Sequence, residues 1–368
     1  MNITVISLGR KGASPIFAYE MVAALVKQGC NITCILSEYI ENIHKFINLK
    51  EQYPYLNLFF IKTYRSKFQF IINTLNIFNF IKLKKMVNNA EPDCIYIPMI
   101  SIWSSILCFF LFNKKIITTI HDVNMHIGEK NIFFEKIYTY AIKKSTKIIV
   151  LSQGFISQII NKYGILQENI CWIPHANFNY YVPPNDDCSV KNKIFNKILF
   201  FGRIYEYKGL SVLLKAMNIL EKTNKNICLK IVGSGKLSKE EKILIEKLGD
   251  KVELINRWIN EDDVHSFFKD IDLTVLPYIE ASQSGVIVLS YGMKKPVIAS
   301  DIGGLPEQIL PNTGILVPPG NEKILAQTII DLYKTPEKII EMGNNAYEYA
   351  ANELTWERSA EKLINFMT

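Results

Sequence analysis

The sequence predicts an α/β protein made of two doubly wound domains, each a parallel sheet covered by helices, and three observations lead there. A chain of 368 residues exceeds what one hydrophobic core usually organises and suits two domains. Short continuous runs of Ile, Val, Leu and Phe alternate with longer helix-like stretches from end to end, as expected of strands buried on both faces. Thirteen such runs are too many for one ordinary open sheet, so two sheets fit better.

Seven runs fall in the first half, at 3–7, 32–36, 58–61, 94–98, 116–120, 148–151 and 171–173. Six follow, at 198–201, 228–232, 252–255, 273–276, 297–299 and 315–317. Most are rich in β-branched or aromatic residues and several are closed by Gly, Pro, Asn or Asp, the composition of a buried strand and its turn. Between the halves, YYVPPNDDCSVKNK (180–193) loses all apolar periodicity, which marks a boundary. The expected domains are 1–180 and 190–354. Two helices close the chain: PEKIIEMGNNAYEYAANE, ending near Glu353, and TWERSAEKLINFM, where Thr355 is placed to cap and Glu357 lies in the first turn.

Apolar content of 49% with 21% charged residues is ordinary for a globular protein and excludes wholesale disorder. The seven cysteines contain no C-x-x-C pair and read as buried thiols in a reducing compartment, hence a cytoplasmic protein. The opening MNITVISLGRKG has too short an apolar run for a signal peptide. The most apolar window, MISIWSSILCFFLF (99–112), is 14 residues long, short of the roughly 20 that span a bilayer; a buried or interfacial helix is expected there. Residues 1–175 carry a balance of +9, and the remainder −2. A basic, apolar first half suits contact with an anionic lipid layer at the inner face of the cell membrane, although simple solubility explains it too. No nucleic-acid-binding module is recognisable, so nucleic acid is not an expected partner.

In open α/β sheets ligands lie outside the carboxyl ends of the strands, so the residues after each run carry the chemistry. FFGRIYEYKGL ends a strand at Gly202, where the chain can turn, and then places Arg203 and Lys208 before any helix begins. Two cations there call for a polyanion. A charge pair about 4 Å apart at intermediate dielectric is worth about 4 kcal/mol before desolvation, most useful where charge grows, as on a departing diphosphate. The alternative is that both cap helix ends or pair with Glu206. PYIEASQSGVIVLSYGM supplies a second anion site: Ser284 is a good N-cap, Gly285 permits close approach, and Val286 opens an apolar helix whose first amides face outward. An ordinary capped core helix would look the same. LGRKGASPIFAYEM is not a G-x-G-x-x-G fingerprint, yet Gly12-Ala13-Ser14 can bring amides to a ligand; VGSGKL lacks the spacing of a P-loop. His121 and Asp122 follow a strand, and adding His126 still leaves a zinc site short of a ligand. The D-x-D at 270–272 precedes its strand and so lies at the wrong end of the sheet.

FFGRIYEYKGL, IVGSGKL, VLPYIEASQSGV, KKPVIASDIGGLPE and GILVPPGN, in that order and spacing, with HDVNMH and the Gly12 loop, resemble the family-4 retaining glycosyltransferases of the GT-B fold over essentially the whole chain. The resemblance implies two Rossmann-like domains facing across a cleft, the last helix (355–368) crossing back to the first domain, and no metal or cofactor. It also implies a hexosyl- or N-acetylhexosaminyltransferase. The donor would be a UDP- or GDP-linked sugar held by the C-terminal domain, and the acceptor a glycan or lipid-linked molecule held by the N-terminal one. Position by position, Arg203 and Lys208 match the diphosphate-binding pair. Gly12 and Ala13 match the loop that approaches phosphate and sugar. His121 matches a histidine beside the sugar's hydroxymethyl group, and Arg257-Trp258 match the segment lining the base, where Trp258 equally suits core packing. The family's E-x7-E pair falls on Ala281 and Leu289, neither acidic. This resembles a QSGV-type branch, in which Glu280 stands in at the sugar or is a solvated loop carboxylate. Glu307 serves the ribose or merely starts a helix. The branch implies bacterial surface polysaccharide or lipopolysaccharide synthesis. A nucleotide-sugar epimerase and a non-catalytic sugar-nucleotide-binding subunit are the alternatives.

Overall fold

The computed structural model describes residues 1–124, 131–178, 196–223 and 226–368, and these form two compact units. The first is built on Met1–Val123, the segment ending at Pro174, and Trp356–Thr368; the second is built on His175–Thr355. All thirteen apolar runs carry a strand.

In the first unit the order is β1 (Asn2–Ser7), α1 (Ala13–Lys27), β2 (Asn31–Ser37), α2 (Ile43–Gln52), β3 (Asn57–Ile61), α3 (Lys67–Leu75) and α4 (Ile77–Asn89). Then come β4 (Cys94–Ile97), α5 (Ile102–Leu107), β5 (Ile116–Ile120), α6 (Ile132–Lys144), β6 (Lys147–Val150), α7 (Phe155–Tyr163) and β7 (Ile170–Trp172). The sheet runs β3-β2-β1-β4-β5-β6-β7, with every pairing parallel. Strands β4, β6 and β7 end one residue before the apolar runs do, because ladder pairing with the neighbour sets a strand's end. The apolar window 99–112 yields only the short α5, opened by a reciprocal Ser101–Ser104 cap, and leaves Phe109 and Phe112 exposed.

The second unit contains β8 (Lys197–Phe201), α8 (Leu210–Glu221), β9 (Cys228–Gly233), α9 (Lys239–Leu248), β10 (Val252–Asn256), β11 (Leu273–Leu276) and α10 (Gly285–Gly292). It continues through β12 (Val297–Ser300), α11 (Leu305–Gln308), β13 (Gly314–Val317), α12 (Glu322–Lys334) and α13 (Pro336–Asn352). Its parallel sheet runs β10-β9-β8-β11-β12-β13. One face packs Ile198, Phe200, Leu229 and Ile231 under Leu213, Met217 and Ile329 of α8 and α12; the other packs Leu276, Val297 and Ala299 under Ile287, Tyr291 and Ala346 of α10 and α13. Each such side chain removed from water is worth about 1.5–3 kcal/mol, which explains why the strands read as unbroken apolar runs. Asp270 and Asp272 tie down the amino end of this sheet: Lys197 N–H donates to Asp272 at 2.7 Å, and the Lys197 and Lys230 ammonium groups reach Asp270 at 2.9 and 3.1 Å. That D-x-D is structural.

The last helix, α14 (Trp356–Met367), belongs to the first unit, where it packs on α1. Trp356, Ala360, Leu363 and Met367 form its buried stripe, at the spacing of one helical face. The Lys115 and Lys147 side chains donate to the last carbonyls, Met367 O and Phe366 O, where cations also oppose the negative end of the helix dipole.

Candidate functional site

Both sheets reverse their winding direction once, between β1 and β4 in the first unit and between β8 and β11 in the second. A crevice opens at such a point because the flanking connections leave to opposite faces. Arg203 and Lys208 follow β8, and Ser284, Gly285 and Val286 follow β11, so both segments expected to bind an anion border the reversal of the second sheet.

Their geometry is set by main chain. Gly202 has φ 119°, a conformation that favours glycine, and its N–H donates to Val232 O at 2.9 Å. A Cβ on Gly233 would fall 1.7 Å from Gly202 O, and one on Gly235 would fall 2.2 Å from Ile204 O. The glycines of VGSGKL therefore let one loop lie against the next, and Asn256 at the end of β10 clamps Gly235 through two hydrogen bonds of 3.1 and 3.0 Å. On the other side, the Ile279 N–H donates to Tyr207 O at 2.9 Å, and a Cβ on Gly209 (φ 67°) would fall 1.8 Å from Pro277 O.

Within this frame Lys208 is half-buried and Arg203 exposed. The Lys208 ammonium stands 3.7 Å from the Tyr278 ring centroid, and the Arg203 guanidinium carbon 4.8 Å from that of Tyr205. A cation over a desolvated aromatic face gains about 2 kcal/mol, which fixes Lys208 before any ligand arrives. Burial pushes the Tyr278 phenol well above its usual pKa, against the opposing Ser284 hydrogen bond and the positive charge of Arg203, so it stays a neutral donor or acceptor.

Ser284 caps α10, its Oγ accepting the Val286 N–H at 3.3 Å. Gln308 of α11 holds that cap, accepting the Ser284 N–H at 2.8 Å and donating to Ser284 O at 3.2 Å. A Cβ on Gly285 would meet Phe178 Cε2 at 3.3 Å and His175 Nε2 at 3.5 Å, so the turn passes beneath two rings. The loop after β12 clasps the same region: Gly304 N–H donates to Ser282 O at 3.0 Å, and a Cβ on Gly303 (φ 60°) would fall 1.8 Å from Ala281 O. Glu280 is half-buried and Glu307 exposed on α11. Leu289 is buried in α10 at 5% exposure, so the second slot of E-x7-E faces the core. Arg257 pairs with Asp263 at 3.5 Å, and Trp258 is 41% exposed, which rules out the core-packing reading of that tryptophan.

In the first unit Gly12 (φ 74°) precedes α1, and its N–H donates to Glu41 Oε2 at 3.1 Å. Ala13 is the first residue of α1. His121 follows β5; its Nε2 lies 3.0 Å from Pro98 O, an acceptor, so Nε2 carries the proton and Nδ1 is left to accept. Burial depresses the His121 pKa, partly offset by that bond and by Asp122. Its ring sits edge-on to Phe17 at 4.7 Å, and Phe17 edge-on to Trp356 at 4.9 Å. His126 lies outside the described residues. Among the described residues no three His, Cys, Asp or Glu side chains are grouped to hold a metal, and no helix is long and apolar enough to cross a membrane.

Glu41, His175, Phe178, Tyr278 and Gln308 are absent from the sequence reading. Gln308 adjoins Glu307 and Tyr278 lies in the PYIEASQSGV run, both already singled out; Glu41, His175 and Phe178 act through contacts with distant segments that no local pattern announces.

Residues 195–335 match the family described as Glycosyl transferases group 1, and residues 15–176 match Glycosyltransferase Family 4. The chain is 27% identical over 244 residues to an uncharacterized glycosyltransferase of Methanocaldococcus jannaschii, covering 66% of this chain and 65% of that protein. It is 26% identical to a GDP-mannose-dependent monoacylated alpha-(1-6)-phosphatidylinositol monomannoside mannosyltransferase of Corynebacterium glutamicum, over 45% of each chain. It is also 30% identical to a D-inositol 3-phosphate glycosyltransferase of Paenarthrobacter aurescens, over 44% of this chain and 41% of that one. The matched stretch thus spans just under two thirds of the first relative and less than half of the other two. Among solved structures, sucrose-phosphate synthase from Thermosynechococcus elongatus superposes with a TM-score of 0.74 at 18% identity, covering 99% and 97% of the two chains. Anabaena HepE in complex with UDP and glucose superposes with a TM-score of 0.73 at 19% identity, covering 99% and 98%; these likenesses show the GT-B fold. With its two halves matched by two glycosyltransferase domain families, the chain is built of glycosyltransferase domains.

Proposed function

We propose that the protein transfers a sugar from a nucleotide-diphosphate donor to a glycan or lipid-linked acceptor, with retention of anomeric configuration and without a metal. The observation that carries this reading is the placing of Arg203, Lys208 and the capped start of α10 on the two strands, β8 and β11, that flank the reversal of the second sheet. As the bond from sugar to phosphate breaks, negative charge accumulates on the departing diphosphate. Two fixed cations and the α10 amides stabilise that charge more than they stabilise the bound donor, which is what lowers a barrier. In a front-face substitution the leaving phosphate oxygen itself takes the acceptor's proton, and the nucleoside diphosphate departs carrying it.

The supporting roles follow the same edge. Arg257 and the exposed Trp258 face the base, with UDP and GDP the two candidates. Glu307 takes the ribose hydroxyls in place of the buried Leu289, and Glu280 the sugar. Gly202 lets Arg203 turn out of the sheet, and Gly285 brings main chain to phosphate. In the first unit, His121 Nδ1 accepts from a sugar hydroxyl, and the Gly12-Ala13 amides approach the sugar and phosphate once Glu41 yields. Membership of the QSGV-type branch and a role in bacterial surface polysaccharide or lipopolysaccharide synthesis complete the proposal, supported by the Gln283-Ser284-Gly285 helix start.

The test is transfer from a panel of UDP- and GDP-sugars with Arg203→Ala and Lys208→Ala proteins whose melting is unchanged. Each substitution should lower turnover about tenfold or more, and chelation should leave wild-type transfer intact. Near-normal turnover by both variants, or inhibition by chelators reversed by added metal, would overturn the mechanism.

A further inference from the structure

Helix α3 is built inside out. Phe68, Ile71, Ile72 and Leu75 recur at the spacing of one helical face, yet they are 72, 56, 48 and 80% exposed. The side turned to the protein carries Phe70, Asn73 and Thr74 instead, while Lys67 and Gln69 are exposed. Thr74 Oγ1 accepts from the buried Trp103 Nε1 at 2.9 Å, and Asn73 donates to Thr63 O while accepting from Asn79 at 2.8 Å. Asn76 ends α3 and caps α4, its Oδ1 accepting the Phe78 N–H at 3.1 Å, so both helices are held in fixed relation. α4 buries Phe80, Leu83 and Val87 and leaves Ile77, Phe78 and Ile81 outward. A surface helix of a water-soluble unit normally shows the reverse, and a contiguous apolar patch of this kind marks an interaction surface.

Charge identifies the partner. From residue 52 to residue 90 the sequence contains no Asp or Glu, while Lys62, Arg65 and Lys67 precede the apolar face and Lys82, Lys84 and Lys85 follow it. Apolar side chains between two groups of cations fit an interface with acyl chains below and anionic headgroups around. A second copy is disfavoured, because a two-fold contact sets the same patch against itself and so brings cation onto cation. We infer that the α3–α4 hairpin docks the protein on an anionic lipid bilayer, with Phe68, Leu75 and Phe78 entering the headgroup layer. This rests on and extends the proposed acceptor, since a lipid-linked acceptor is met at a bilayer surface. Lipid binding is measured with no sugar nucleotide present, so the failure of either reading leaves the other standing.

Cosedimentation with vesicles containing phosphatidylglycerol, against pure phosphatidylcholine, tests it on the full chain. Wild type should bind the anionic vesicles selectively, and Lys82→Glu/Lys85→Glu should weaken binding at least about tenfold, since each cation contributes about fivefold. Phe68→Ser/Leu75→Ser/Phe78→Ser, all exposed positions, should abolish it with melting unchanged. Equal affinity for both vesicles, or unaltered binding by the two variants, overturns the inference. So does a concentration-dependent dimer in sedimentation velocity that the triple variant dissolves.

Discussion

In the C-terminal unit the loops beyond β8, β9, β11 and β12 are tied to one another through main chain. Gly202 bonds to Val232, Ile204 to Ser234, Ile279 to Tyr207 and Gly304 to Ser282, and four glycines stand where any Cβ would strike a neighbouring carbonyl. In the N-terminal unit one main-chain bond, Glu41 N–H to Arg10 O at 3.0 Å, joins the loops after β1 and β2, and side chains supply the rest: Glu41 on Gly12, and Phe17 with Trp356 behind His121. The difference teaches that one sheet architecture supports two kinds of site. A site braced by its own backbone is set before a ligand binds, which suits the diphosphate stabilisation proposed for it. A site braced by side chains shifts at lower cost when its partner changes.

The sharpest way to break this contrast is to add one carbon to each kind of turn. Gly209→Ala should cost about 3 kcal/mol or more in denaturant melts, because strain at positive φ adds to a main-chain clash, and donor-dependent transfer should fall with it. Gly29→Ala, also at positive φ (81°) but with nothing within 4 Å of the new Cβ, should cost only about 1 kcal/mol. Equal costs would show that the close approach at Gly209 is not a constraint.

A smaller effect tests the side-chain bracing of the first unit. Glu20 lies on α1 beside Lys27, Lys45 and Glu357, and burial raises its pKa from 4.5 to about 7. Since the folded value lies above the unfolded one, the stability linked to this group is complete below about pH 4.5 and is lost as pH rises through about 7. Glu20→Gln should therefore flatten the melting profile and stabilise the protein by about 1–2 kcal/mol near pH 8, with no gain near pH 4. A uniform offset at every pH would mean that the carboxyl is not the source.

The smallest expected change is at Phe17, 2% exposed between His121 and Trp356. Phe17→Leu should cost about 1 kcal/mol. It should also move the His121 pKa, read by NMR titration, back up toward the usual imidazole range, because burial is the chief cause of its depression. The stability linked to the imidazole runs the opposite way to that of Glu20: it is present above about pH 6.5 and lost as pH falls through the lowered value. An unmoved titration would mean that Phe17 is not what keeps water from His121.

Much of the fold was legible because a strand buried on both faces must be apolar throughout, so 198–201 or 273–276 announces itself without knowledge of its neighbours. The capped start of α10 was legible too, since Ser284 and Gly285 act locally, by capping and by lacking a side chain. The roles of Gly233, Gly235 and Gly303 were not. Each glycine is needed for what another segment places against it, and that segment lies tens of residues away. Helix α3 was obscure for a related reason. Only the packed unit shows Phe68, Ile71, Ile72 and Leu75 looking out while Thr74 and Asn73 bond inward to Trp103 and Thr63.

By itself the sequence determined the number of strands, their parallel sense and the cations after β8, because periodicity, burial and turn chemistry are properties of adjacent residues. Tertiary structure alone decided that those cations border the reversal of the second sheet, that Gln308 braces the α10 cap, that Leu289 faces the core and Trp258 does not, and that the first unit turns an apolar helix outward. These depend on which surfaces meet, and contact between distant segments is set by the packing of the whole unit.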